Sequence, residues 1–146
     1  TRAKEAERYN MDIATKTVEW HAPVIPGAKT HTRLGMAGDG LIYGFAGQAH
    51  YFVFDPAKRE IVYREETVPG YRFTVNQQGP RVIVPGPENQ RYLLFTKTIA
   101  RVALPTHTVI PLATTPIPIT AGGGYLDGRL YFARESHRYS CKLPAP

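Results

Sequence analysis

Five histidines, His21, His31, His50, His107 and His137, are the residues of this chain best suited to acid–base or ligand chemistry, because imidazole titrates near neutrality. None is spaced as a local metal motif such as H-x-x-x-H, and Cys141 is the single cysteine, so a multi-cysteine metal cluster and an intramolecular disulfide are both excluded. No metal and no cofactor is expected. Arg91, Arg134 and Arg138, with Glu88 and Glu135 nearby, are of the type that grips a carboxylate or an acidic sugar through paired hydrogen bonds. The alternative for these charges is a solvated rim, and for the histidines, bonding to nearby backbone. There is no G-x-S-x-G elbow and no P-loop; Gly35–Gly40 (GMAGDG) has the glycines of a phosphate loop but joins two strands with no helix after it.

The elements that must position these residues are legible from punctuation and repetition. Thirteen Gly and thirteen Pro in 146 residues favour short strands and turns over long helices. Tyr51–Phe54 and Ile61–Tyr63, joined through Asp55-Pro56, predict a β-hairpin. The same pattern occurs 43 residues earlier, where Tyr9–Asp12 matches Phe52–Asp55 and Thr17–Trp20 matches Glu60–Tyr63. Arg91–Leu104 is a third copy, and Arg138–Pro144 carries its first strand only. A second motif recurs at twice that spacing: Asp39-Gly40-Leu41-Ile42-Tyr43 and Asp127-Gly128-Arg129-Leu130-Tyr131, 88 residues apart, with Gln78–Val84 in the same slot between them. Short runs with small residues, Thr32–Ala37, Phe73–Gln77 and Ile119–Gly124, precede each turn. Ala3–Arg8 is rich in helix formers, but Ala3–Met11 aligns without gaps to Ala133–Cys141, which assigns it to a loop and the start of an outer hairpin.

One unit therefore reads as four antiparallel strands in roughly 40–50 residues. The expected division is an incomplete hairpin unit with its following loop at 1–31, units at 32–70 and 71–113, and a unit lacking its last strand at 114–146. Val18, Trp20, Ile42, Phe52, Phe54, Ile61, Val82, Leu94, Val102 and Leu130 are the expected core, and Cys141 is expected as a small core residue of a strand. Asp12 and Asp55 recur by repetition and are read as turn caps rather than a carboxylate dyad.

The stretch Gly38–Glu66, with its Asp-Gly-apolar-apolar-Tyr strand and its aromatic-Asp-Pro turn, resembles repeats of β-propellers of the streptogramin-lyase-like, NHL-like and Kelch-like kind. It departs from them at Phe95-Thr96-Lys97, has no Trp-Asp dipeptide, and shows only Gly122-Gly123-Gly124 near a Kelch glycine signature. The resemblance implies an all-β fold of about three blade-equivalents, open unless more chain or another copy completes it. It also implies that loops between blades and between the two middle strands share one face. That face would present His31, His50, Tyr71, Arg72, Glu88, Arg91, Arg134 and His137 as candidate ligand-binding residues.

Two functions are consistent with this: a non-catalytic binding or scaffolding surface, for a saccharide or small anion, or part of a propeller lyase or hydrolase acting on a saccharide or cyclic ester through loop His and Arg. A proteolytic fragment without its own function is a third, weaker reading. The +6 net charge is spread through alternating acidic and basic residues, which argues against nucleic acid. No run approaches the ~18 apolar residues of a membrane helix, so a soluble chain is expected, and with Thr1 rather than Met at the start no compartment is assigned.

Overall fold

The computed structural model describes residues 7–23, 25–28, 31–46, 50–66 and 82–143; of residues 31–33 and 82 it describes the backbone only. The described chain is all-β, with thirteen strands and one 3-10 turn. Every pairing among the described residues is antiparallel, and within each sheet strands adjacent in sequence are paired. Sheet I is the hairpin β1 (Glu7–Asp12) and β2 (Thr17–Pro23). Sheet II is β3 (His31–Met36), β4 (Ile42–Ala46), β5 (His50–Asp55) and β6 (Glu60–Glu66). Sheet III is β7 (Val82–Pro85), β8 (Arg91–Leu94), β9 (Thr98–Val102) and β10 (Val109–Thr114), and sheet IV is β11 (Ala121–Leu126), β12 (Arg129–Arg134) and β13 (His137–Lys142). Among the described residues the sheets stay open and none closes into a barrel. No helix among the described residues is long and apolar enough to cross a membrane.

Turn chemistry sets the hairpins. Asp12 Oδ1 accepts the N–H of Ala14 and Thr15 at 2.7 and 2.9 Å, and Asp55 Oδ1 accepts those of Ala57 and Lys58 at 2.9 and 3.2 Å. These are Asx turns, the capping role expected of both residues. The bonds from Thr15 and Ala14 hold the Asp12 carboxyl below its ordinary range. Gly40 and Gly128 take φ of 79° and 75° at the matching β3–β4 and β11–β12 turns, where a side chain would be strained.

Strand alternation then gives sheets II and III two apolar faces each. Tyr43, Phe45, Tyr51 and Val53 of sheet II pack on Leu93, Phe95, Ala100 and Val102 of sheet III. The other face of sheet III, with Val84, Tyr92, Leu94 and Ile99, packs on Leu130 and Phe132 of sheet IV. The other face of sheet II, through Phe52 and Phe54, meets Trp20 of the hairpin together with Ile25 and Ala28. Between the sheets the first strands lie side by side: β7 is against β3 on one side and β11 on the other. Gly35 permits this approach, since a Cβ there would stand 3.2 Å from Ile83 Cβ.

Several expectations are corrected. Val18 is 51% exposed, because the register shift between Asn10 and Met11 sets it on the hairpin face turned away from sheet II. Trp20, Ile42, Ile61 and Cys141 are half-buried rather than fully enclosed, and the Val82 side chain lies outside the described residues. Phe52, Phe54, Leu94, Val102 and Leu130 are buried. In sheet III the alignment is one strand out of step. Val82–Pro85, expected as a second strand, lies among the first strands of sheets II and IV, and Val109–Thr114 supplies the fourth. The cause is a turn at Gly86–Gln90, where Pro87 and left-handed Glu88 and Asn89 end β7 early. Pro111 is tolerated in β10 because it sits at a bulge on the sheet edge. The expected strand at Phe73–Gln77 lies outside the described residues.

Candidate functional site

The densest polar cluster lies where the β3–β4 turn of sheet II meets the β7–β8 turn of sheet III. Asp39 Oδ1 accepts the Leu41 N–H at 3.0 Å, which closes its own turn and leaves Oδ2 facing the seam. Oδ2 accepts the Tyr43 hydroxyl at 3.0 Å and the Asn89 amide Nδ2 at 3.3 Å. Asn89, at φ 63°, is one of the few residue types that enter the left-handed region readily, and that backbone aims its amide across the seam. Its Oδ1 accepts from Gly38 N–H at 3.1 Å and from Arg91 Nη2 at 2.6 Å.

Arg91 is 3% exposed, and its Nη1 donates to the carbonyls of Asn89 and Gln90, both at 2.7 Å. Its guanidinium also lies 5.6 Å from the Tyr43 ring centre, a cation–π distance. From the β9–β10 loop, His107 brings Nδ1 to 3.4 Å from the Tyr43 hydroxyl and sets its ring against Tyr43 and Tyr63. Behind it, Tyr63 donates to Glu65 Oε2 at 2.7 Å, and the same oxygen accepts Val109 N–H at 3.4 Å.

Burial, reinforced by Asp39, pushes the Tyr43 phenol well above its ordinary range. Burial likewise raises Tyr51, and burial with the Glu65 hydrogen bond pushes Tyr63 up to about 12. A phenol held neutral so firmly is a poor proton shuttle near neutral pH. Asp39, Asn89 and Arg91 are engaged with one another and with backbone. The cluster is built to join two sheets.

The candidate residues do not form one face. Glu88 (exposed, φ 48°) and Arg91 lie at the turn end of sheets II and III. His50 lies at the opposite end of β4 and β5, in register with Ala46 and Glu66. There it borders a cleft of about 320 Å³ with Ile25, Arg64, Glu65 and Glu66. Arg134 and His137 face each other across the β12–β13 turn, with His137 Nδ1 3.4 Å from Ser136 Oγ. His31 pairs with Ala46 through the backbone; its side chain, and all of Tyr71 and Arg72, lie outside the described residues. The one-strand shift of sheet III explains the separation: the Glu88 turn joins first and second strands instead of the two middle ones. His21 is bound within its own hairpin, 3.0 Å from Glu7 and stacked on Tyr9.

Among the described residues no three His, Cys, Asp or Glu side chains gather as a metal site. The sequence reading missed the pairing of Asp39 with Asn89 and of Tyr43 with His107. The Asn89 signal was present, in the Pro-Gly-Pro-Glu-Asn turn sequence. No protein-family model matches the chain, and no curated protein sequence matches it.

Proposed function

We propose that the chain is a segment of a propeller-type repeat protein and acts as a non-catalytic binding or scaffolding surface, completed by further sheets from a longer parent chain or from another copy. The observation that carries this reading is the alignment of β3, β7 and β11 side by side in chain order, each leading its own antiparallel sheet. A polar seam used up in holding two sheets together supports a scaffold over an enzyme. The lyase or hydrolase alternative calls for a loop His and an Arg or Glu converging on one open site. The nearest approach to that is the cleft of His50, Arg64 and Glu66, which suits a saccharide or a small anion: Arg64 for a carboxylate, Glu66 for sugar hydroxyls.

The reading is tested with the whole chain against a panel of acidic oligosaccharides and lactones, following both amide shifts by NMR and product formation. Shifts centred on the residues of that cleft, abolished by Arg64→Ala with no turnover, are expected. Product formation that depends on His50 would overturn the non-catalytic reading in favour of the enzyme.

A further inference from the structure

The 88-residue repeat preserves which face each side chain takes. Ile42 packs on the hairpin side of sheet II, and its counterpart Leu130 packs on the sheet III side of sheet IV. Tyr43 faces the following sheet and is fully buried beneath it. Tyr131, the counterpart of Tyr43, is on the face of sheet IV turned away from sheet III. There it lines an open groove of about 460 Å³ with Gly122, Gly124, Leu126, Ala133 and Arg138. Leu126 is 59% exposed. At the other end of the stack the hairpin turns Arg8 and Trp20 toward sheet II, with the Arg8 guanidinium 3.3 Å from the Phe54 ring centre. Its opposite face shows Tyr9, Met11 and Val18, all more than half exposed.

Each junction within the chain joins the following-sheet face of one sheet to the preceding-sheet face of the next. Two such faces stand without a partner among the described residues, one of each kind. We propose that the groove of sheet IV receives the outer face of the β1–β2 hairpin of a second copy, head to tail. The charges agree: Arg138 borders the groove, while Glu7 lies on the outer face of the hairpin beside Tyr9 and His21. Because the two surfaces differ, the contact is heterologous and propagates until a ring closes. This inference rests on the stacked-sheet reading above.

The test is sedimentation velocity over a concentration range with wild type, Leu126→Asp and Met11→Asp; both changed positions are exposed, so the fold is expected to be retained. Wild type is expected to exceed the 16.3 kDa chain mass, and each variant alone to stay at it. Mixing the two variants, each with one intact end, is expected to give a 1:1 heterodimer and nothing larger. A monomeric wild type at all concentrations, or association persisting in either variant alone, overturns the proposal. Should either variant fail to fold, Arg138→Glu and Val18→Asp replace them. A monomeric wild type, with a Gly35→Cys, Ile83→Cys variant that still cross-links, removes this inference only; failure of that cross-link removes the stacked-sheet reading itself.

Discussion

The side-chain amide of Asn89 binds Asp39 across the gap between two sheets, its Nδ2 3.3 Å from Asp39 Oδ2. The same amide accepts from Gly38 N–H and Arg91, so one residue ties two turns and a buried guanidinium together. Asn89→Gly keeps the left-handed backbone and loses the bonds; it is expected to destabilise the fold by about 1–3 kcal/mol in urea unfolding. Asn89→Ala adds the strain of a side chain at positive φ, about 1 kcal/mol more. Equal midpoints for both variants and wild type would remove the seam from the account.

Two tyrosines in neighbouring strands are expected to respond in opposite ways. The Tyr43 hydroxyl is held by Asp39, whereas the Tyr51 hydroxyl is buried without a hydrogen bond among the described residues. Tyr43→Phe should lower stability by about 1 kcal/mol, and Tyr51→Phe should leave it unchanged or raise it, because an unsatisfied buried polar group is removed. Thermal unfolding of the pair decides it, and a larger loss at Tyr51 contradicts the assigned network.

Alkaline pH supplies a third test. Tyr43, Tyr51 and Tyr63 have pKa values raised in the folded state, chiefly by burial, with Tyr63 at about 12. A raised pKa means that the stabilisation is complete below the ordinary tyrosine value, about 10, and is lost as pH rises toward the folded values. Absorbance at 295 nm should show part of the nine tyrosines ionising early and the rest only as the chain unfolds. All nine titrating together near about pH 10, with no loss of stability, would be the contrary result.

Much of the fold was legible because its signals are local. Asp12, Asp55, Gly40 and Gly128 announce their turns by residue type, and the 88-residue repeat places Ile42 and Leu130 on matching faces. The step error in sheet III arose because Gln78–Val84 carries a Gly turn signal upstream, while the turn that ends β7 is made by Gly86–Gln90. Val18 was misplaced because strict alternation puts it on the face of Trp20, whereas the register shift between Asn10 and Met11 sets it opposite Met11, on the face turned away from sheet II. The polar seam was illegible for a different reason. Asp39 and Asn89 are 50 residues apart and belong to different sheets, so their contact depends on how those sheets stack.

That stacking is the central claim, and a cross-link tests it directly. Gly35 of β3 and Ile83 of β7 face each other, with a Cβ at 35 placed 3.2 Å from Cβ of 83. A disulfide holds Cβ atoms at about 3.5–4.5 Å, so the strands need part only by a few tenths of an ångström. In a Cys141→Ser background, Gly35→Cys with Ile83→Cys should form an intramolecular disulfide under mild oxidation. It should be seen as a faster band on a non-reducing gel and as two unreactive thiols in an alkylation assay. Free, fully alkylated thiols in the folded protein would contradict the side-by-side arrangement of the first strands.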